Sequence, residues 1–331
     1  MQLAHWRAAR LVATRDLTHD IRLFEIAPAG DEAGAATSGF VAPSPGSHIL
    51  IEVLIGDRVE TRSYSTVGPC GDGLYRIAVK RLKASRGGSA YMWRLSPGAR
   101  LKIAAPRNQF DLAWHKPGYL LLAGGIGITP IYSMALALAA ANAPVRLLYA
   151  VRSKADLAFG DELGAVLGDR LALFVDADGN RLDLEPEISA LAPGGEFYVC
   201  GPLGLMEMAR QAWAGSGRPA TLMRFETFGN GGRLATVPFH VAIPRLGLDF
   251  DVGADETLLD ALEKAGVAMI SDCRKGECGL CTLPVLAADG PLDHRDVFFS
   301  GEEKAKNSKL CTCVSRLGGG ILTLDTCDRK A

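Results

Sequence analysis

From Leu11 to about Leu112 apolar and polar residues alternate in short runs, IRLFEIA, SHILIEVLI, RSYSTVG, LYRIAVKRL and ARLKIAA, separated by Pro43, Pro45 and glycines. A period of two with turn residues between the runs predicts strands, and their succession predicts an antiparallel β-barrel. The pattern changes at YLLLAGG. From there strand runs (YLLLAGG, VRLLYAV, LALFVDA, EFYVCG) alternate with helical stretches (PIYSMALALAAAN, LGLMEMARQAWAG), which predicts an α/β, doubly wound parallel sheet. Gly229-Asn230-Gly231-Gly232-Arg233 reads as a linker, and a fresh hairpin pattern, FHVAIPRLGLDFDVG, opens a third domain near Val237. In ETLLDALEKAG, Leu258, Leu259, Leu262 and Ala265 fall on one helical face. The predicted organisation is therefore multidomain: 1–113, 114–229, a linker at 230–236, and 237–331.

Composition supports this division without naming a partner. The chain has 331 residues, 48% hydrophobic and 22% charged, enough for two or three domains of ordinary size. A net charge of -1 gives no global attraction to nucleic acid or an anionic membrane. The N-terminal stretch alternates as strands do and contains no apolar run ending in a small-residue cleavage site, and Ile131 to Pro144 is too short to span a bilayer. The expectation is a cytoplasmic monomer.

Eight cysteines change the picture. Cys273, Cys278 and Cys281 form C-x4-C-x2-C, the plant-type [2Fe–2S] spacing, which requires a fourth thiolate from a distant segment. Cys311 and Cys313 are both candidates, and spacing does not choose between them. Zinc is the rival metal, but paired C-x2-C knuckles are absent. Gly276 and Gly279 suit a loop whose backbone closely approaches the cluster sulfides. Cys70 and Cys327 read as a loop thiol and a tail thiol.

Further motifs suit phosphate-bearing cofactors. Arg62-Ser63-Tyr64-Ser65-Thr66 offers a flat ring, hydroxyls and a cation on one strand, the groups a flavin requires. Ser85-Arg86-Gly87-Gly88-Ser89 enters a helical segment with unpaired N–H groups suited to a phosphate. Gly124-Gly125-Ile126-Gly127-Ile128-Thr129-Pro130, between a strand and a helix, lets the backbone approach a pyrophosphate, and Cys200-Gly201-Pro202 forms a second strand-to-helix turn at the same sheet edge. Arg152-Ser153-Lys154 would attract a 2′-phosphate, whereas Asp176 and Asp178 would repel one.

CRKGECGLC, DHRD, CVSR and LTLD, together with RSYS and the Gly-Gly-Ser turn, resemble the phthalate dioxygenase reductase family, which includes reductases of vanillate O-demethylase type. The resemblance covers nearly the whole chain. It implies a β-grasp, ferredoxin-like (α+β) third domain and Cys313 as the fourth ligand. It also implies FMN surrounded by Arg62, Tyr64, Ser65, Thr66, Ala78, Lys80, Gly87, Gly88 and Ser89, with FAD as the alternative. NADH, with NADPH as the alternative, would bind at Gly124, Gly125, Gly127, Thr129, Pro130, Cys200, Gly201 and Pro202, with Phe225 near the flavin face. Ser65, Thr66 and Cys200 would lie closest to the hydride transfer, Cys200 as a packing residue with no nucleophilic role.

The implied activity is that of an oxidoreductase passing electrons from NADH through FMN and the cluster to a separate Rieske-type oxygenase. The chain has no Rieske Cys–His pairs and no His/carboxylate iron triad of its own. Arg274, Lys275, Glu277 and Arg295 are the expected docking charges. Three rivals are a flavohaemoglobin-like reductase, a zinc-stabilised binding module and a stand-alone flavin reductase. The first and third leave the cysteine motif unexplained, and the zinc module leaves both the flavin and the nicotinamide motifs unexplained.

Overall fold

The computed structural model describes residues 5–29, 40–69, 71–82, 87–228, 232 and 234–328. Cys70, Ser85, Arg86 and most of the glycine linker lie outside the described residues. The chain divides into two compact units, Met1–Gly201 with Met208–Phe225, and Pro202–Glu207 with Glu226–Ala331.

The first unit begins with β1 (Trp6–Asp16), β2 (Ile21–Pro28), β3 (Ser47–Ile55), β4 (Arg58–Ser65) and β5 (Tyr75–Lys80), then α1 (Gly88–Arg94), β6 (Arg100–Ala104) and β7 (Arg107–Asn108). The period-two pattern has its expected consequence: Ile49, Ile51 and Val53 of β3 point inward with Leu11, Phe24, Ile26, Ile77 and Ile103. The order is β4-β3-β6-β1-β2-β5, and the pairs with a defined register are all antiparallel. The sheet curls but does not close fully. Between β4 and β5 the described residues show one isolated bridge, Thr66 to Ile77, so the expected barrel is a half-barrel.

The α/β part comprises β8 (Tyr119–Gly124), α2 (Ile128–Ala140), β9 (Val145–Val151), α3 (Gly160–Leu167), β10 (Leu171–Val175), α4 (Glu185–Ala190), β11 (Glu196–Cys200), α5 (Leu203–Gly215) and β12 (Met223–Glu226). Strand order is β10-β9-β8-β11-β12, with β8 parallel to both β9 and β11. Successive strands run outward one way from β8, then the other way from β11. The reversal opens a crevice at their carboxyl ends, where ligands bind in such sheets.

At the opposite end of β11 the Glu196 carboxylate is buried. Burial alone would raise its pKa, but the Tyr198 hydroxyl, Lys116 (2.9 Å) and Arg224 (3.1 Å) outweigh that cost and hold it below the usual value. The Ala113 N–H donates to the Tyr198 hydroxyl oxygen at 2.8 Å, tying the segment before β8 to β11.

The second unit contains β13 (Phe239–Ile243), β14 (Leu248–Val252), α6 (Leu258–Lys264), β15 (Thr282–Ala288), β16 (Leu292–Asp293), α7 (Gly301–Ala305), β17 (Lys309–Cys311), β18 (Arg316–Leu317) and β19 (Ile321–Leu324). Thr257 and Asp260 form a reciprocal capping box that starts α6. Its buried face is Leu258, Leu259, Ala261 and Leu262; Ala265 lies just past the helix and caps it. The main sheet is ordered β14-β13-β19-β15-β17, and β13 runs parallel to β19. Among the described residues no helix is long and apolar enough to cross a membrane.

Candidate functional site

The strand register sets Arg62 across from Ile51 and Ser65 across from His48. The Arg62 side chain runs over the start of α1, since a Cβ on Gly88 would lie 2.9 Å from Arg62 Cγ and Nε. Gly87 enters α1 with φ +90°, a left-handed turn that suits glycine. Two motifs separate in the sequence thus meet: a cation from β4 and the N–H groups of the α1 turn. Arg62 also pairs with Glu60 at 2.7 Å.

The neighbouring hydroxyls divide into free and committed groups. Thr66 donates its hydroxyl to the Ser47 carbonyl at 3.0 Å, whereas the buried Ser65 hydroxyl meets no protein partner among the described residues. Ser89 accepts from the Leu82 N–H at 3.3 Å and so joins the end of β5 to α1. Lys80 pairs with Asp20 at 3.0 Å, and Ala78 is buried opposite Leu23. Burial pushes the Tyr64 phenol well above its ordinary pKa against the pull of Arg62, so it stays neutral. Replacing Arg62 with Ala is expected to weaken flavin retention about tenfold, through loss of one charge-assisted hydrogen bond. Flavin absorbance per mole of purified protein measures this, and a variant with full flavin content refutes the role.

At the crevice, Gly125 adopts φ +52°. A Cβ on Gly127 would stand 2.2 Å from the Cys200 carbonyl oxygen and 2.8 Å from Gly201 N. Glycine is therefore required by the close approach of two backbones. Thr129 is buried and donates its hydroxyl to the Ile126 carbonyl at 3.0 Å, so it shapes the turn and its proton is committed there. Gly124 ends β8, Pro130 is buried in the first turn of α2, and the Cys200 thiol is fully buried ahead of Gly201 and Pro202. Phe225, in β12, carries the Arg210 guanidinium 5.9 Å from its ring centre. On the other side of β8, Ser153 donates its hydroxyl to Asp156 at 2.8 Å, and Lys154 pairs with Asp178 at 2.9 Å.

In the second unit the cysteine loop wraps one sulfur with backbone. The N–H groups of Lys275, Glu277 and Cys278 each point at Cys273 Sγ from 3.4 Å. Three convergent donors favour a thiolate. The Cys273 thiol sits against those of Cys278 and Cys313, and Cys281 against those of Cys311 and Cys313. Sharing of protons in this group pulls Cys273 and Cys281 toward the thiolate: Cys273 by its contact with Cys313 and then the loop N–H groups, Cys281 by contacts with Cys311 and Cys313. Cys313 therefore bridges the two halves of the set. The Cys311 thiol meets Cys281 and the Thr282 hydroxyl (3.7 Å).

The two loop glycines also have a packing reason. A Cβ on Gly276 would strike Val314 Cγ2 at 2.6 Å, and one on Gly279 the Phe298 ring at 2.3 Å, at φ +77° and +73°. They permit left-handed turns under neighbouring side chains.

Glu226, the last residue of β12, and Thr227 anchor this loop. Glu226 pairs with Lys275 at 2.7 Å; Thr227 donates its hydroxyl to the Lys275 carbonyl at 2.9 Å and its N–H to Glu277 at 2.5 Å. Sequence reading missed this role because E-T has no spacing signature.

A family model described as a 2Fe-2S iron-sulfur cluster binding domain matches residues 242–318, and one described as an oxidoreductase NAD-binding domain matches 121–174. A putative toluene-4-sulfonate monooxygenase system reductase subunit of Comamonas testosteroni is 36% identical, over 95% of this chain and 97% of its own. The heme-dependent oxidative N-demethylase beta subunit of Ectopseudomonas mendocina is 37% identical, over 96% and 97%. The solved structure of phthalate dioxygenase reductase, described as a modular structure for electron transfer from pyridine nucleotides to [2Fe-2S], aligns with a TM-score of 0.74 at 29% identity, over 97% of this chain and 98% of that one. This chain belongs to the phthalate dioxygenase reductase family.

The cofactor set of the family, FMN, NADH and [2Fe–2S], agrees with these matches. In this phthalate dioxygenase reductase-like chain the charges expected to dock an acceptor also make internal pairs. Arg274 pairs with Asp260 (3.0 Å) and Glu263 (2.6 Å), Lys275 with Glu226, and Arg295 with Asp293 (2.7 Å), while Glu277 accepts from Thr227. Desolvation moves the Glu277 carboxyl up to about 7. These contacts hold the loop in shape, and the sequence offered no means of telling a paired charge from an exposed one.

Proposed function

We propose that this chain is the NADH-dependent reductase component of a Rieske-type oxygenase system, delivering electrons in the order NADH, FMN, [2Fe–2S], oxygenase. The observation that carries the reading is the convergence of Cys273, Cys278, Cys281 and Cys313 in a loop whose N–H groups aim at sulfur, in a chain that also carries a nucleotide crevice. When bound, the flavin takes electrons from nicotinamide as a pair and yields them singly, which a cluster that accepts one at a time requires.

The chain's own residues position these groups. Arg62 with the Gly87-Gly88-Ser89 turn would hold the FMN phosphate, with Tyr64, Ala78 and Lys80 around the flavin and the free Ser65 hydroxyl and Thr66 at its polar edge. Gly124, Gly125 and Gly127 would admit the pyrophosphate, shaped by Thr129 and Pro130. Cys200, Gly201 and Pro202 would seat the nicotinamide, with Phe225 nearby. The proposed division is a flavin domain at 1–113, a nucleotide domain at 114–229 and a ferredoxin domain at 237–331, working as a cytoplasmic monomer. A haem-containing oxygenase is a second reading of the acceptor, favoured by the name of the N-demethylase relative.

The test is optical. Purified protein should show flavin and iron–sulfur bands together, and anaerobic NADH should bleach both. A protein without those bands, or bands untouched by NADH, ends the proposal. Mixing the reduced protein with Rieske-type and haem-type oxygenases then separates the two acceptors.

A further inference from the structure

The NADH-dependent reading leaves open what makes the chain choose between NADH and NADPH. In a sheet with this order the pyrophosphate meets the turn after β8. Since the nicotinamide is read at the end of β11, the adenosine half extends toward the ends of β9 and β10. Those ends are paired up to Val151 and Val175, and the Ala177 N–H donates to the Arg152 carbonyl at 3.0 Å, so the two loops stand side by side. The groups that would welcome a 2′-phosphate there are Arg152, Ser153 and Lys154.

Two of the three are already committed to carboxylates. Ser153 donates both its hydroxyl (2.8 Å) and its N–H (3.1 Å) to Asp156, and Lys154 holds Asp178 at 2.9 Å. Asp176, exposed on the same loop as Asp178, has no cation partner among the described residues. The rim thus sets the cations Arg152 and Lys154 against the carboxylates of Asp156, Asp176 and Asp178. A dianionic phosphate meets net repulsion there, while a ribose 2′-hydroxyl can donate to a carboxylate.

We infer that Asp178 is a specificity-determining residue: by pairing with Lys154 it withholds the cation that a 2′-phosphate needs and so selects NADH over NADPH. It acts through Lys154, which makes it a positioning residue. This rests on the nicotinamide site proposed above.

The experiment uses the holoprotein with ferricyanide as acceptor and compares kcat/KM for NADH and NADPH. Asp178→Asn should raise kcat/KM for NADPH about tenfold or more, the effect of one new charge-assisted hydrogen bond from Lys154 to the 2′-phosphate. The gain should lie in KM, with kcat nearly constant. Adding Lys154→Gln to that variant should remove the gain, and Asp178→Glu should keep the NADH preference. A coenzyme ratio that stays within twofold in Asp178→Asn overturns the inference, as does an equal gain in the double variant. So does a wild-type preference for NADPH, which would leave the reductase reading standing. Absence of any nicotinamide-dependent ferricyanide reduction would instead sink that reading.

Discussion

Cys278→Ser is expected to abolish the iron–sulfur absorbance and electron delivery to the acceptor, while NADH-dependent reduction of ferricyanide persists. Cys278 sits against Cys273, the sulfur toward which three N–H groups converge, so loss of this proposed ligand would leave the cluster a thiolate short. Most of the proposed flavin and nicotinamide groups belong to the other unit, as Arg62, Gly88, Gly127 and Cys200 all lie within Met1–Gly201, although Pro202 falls in the unit of the cysteines. Visible spectra, iron content and the two assays are run on one preparation. Parallel loss of both activities would mean that the cluster supports the flavin site, and the idea of separable modules would fail.

Gly127→Ala is the second large effect. Its Cβ would be 2.2 Å from a carbonyl oxygen of the neighbouring strand end and 2.8 Å from Gly201 N, contacts made by backbone that cannot swing aside. The turn after β8 must move away from β11, widening the crevice where the nucleotide is read to bind. The expected result is a fall in kcat/KM for NADH of roughly a hundredfold, mostly in KM, because overpacking at this site costs about 1–3 kcal/mol and acts on the binding geometry. Flavin content and the cluster spectrum should be retained. An unchanged KM in a folded variant would show that the coenzyme does not use this turn.

What the chain disclosed in advance follows the physics of each signal. Period-two runs and the strand–helix alternation located most strands because burial of one face imposes a pattern over several residues. β7, β12 and β15 to β19 were not anticipated: runs of two to four residues carry too little pattern to stand out, and the longer β15 is interrupted by Pro284. C-x4-C-x2-C was legible because coordination fixes ligand spacing along the chain. The choice of a fourth ligand was not, since Cys311 and Cys313 differ in which sulfurs they meet across space; of the two, Cys313, the proposed ligand, sits against both Cys273 and Cys281. The same limit applied to charge. Lys275 and Arg274 look alike in CRKGEC, yet one holds Glu226 and the other Asp260 and Glu263.

The sheet order of the second unit bears on when its cluster can be built. β19 lies between β13 and β15, so until Ile321–Leu324 has been synthesised the β13–β14 hairpin and the β15–β17 pair share no strand neighbour. The halves that bracket the cysteine loop are joined last, by the segment that leaves the ribosome after all four proposed ligands. A nascent chain stalled before Ile321 would present its thiols on an unfinished sheet. The cysteine loop is thus framed on both sides only once the β19 segment has joined the sheet.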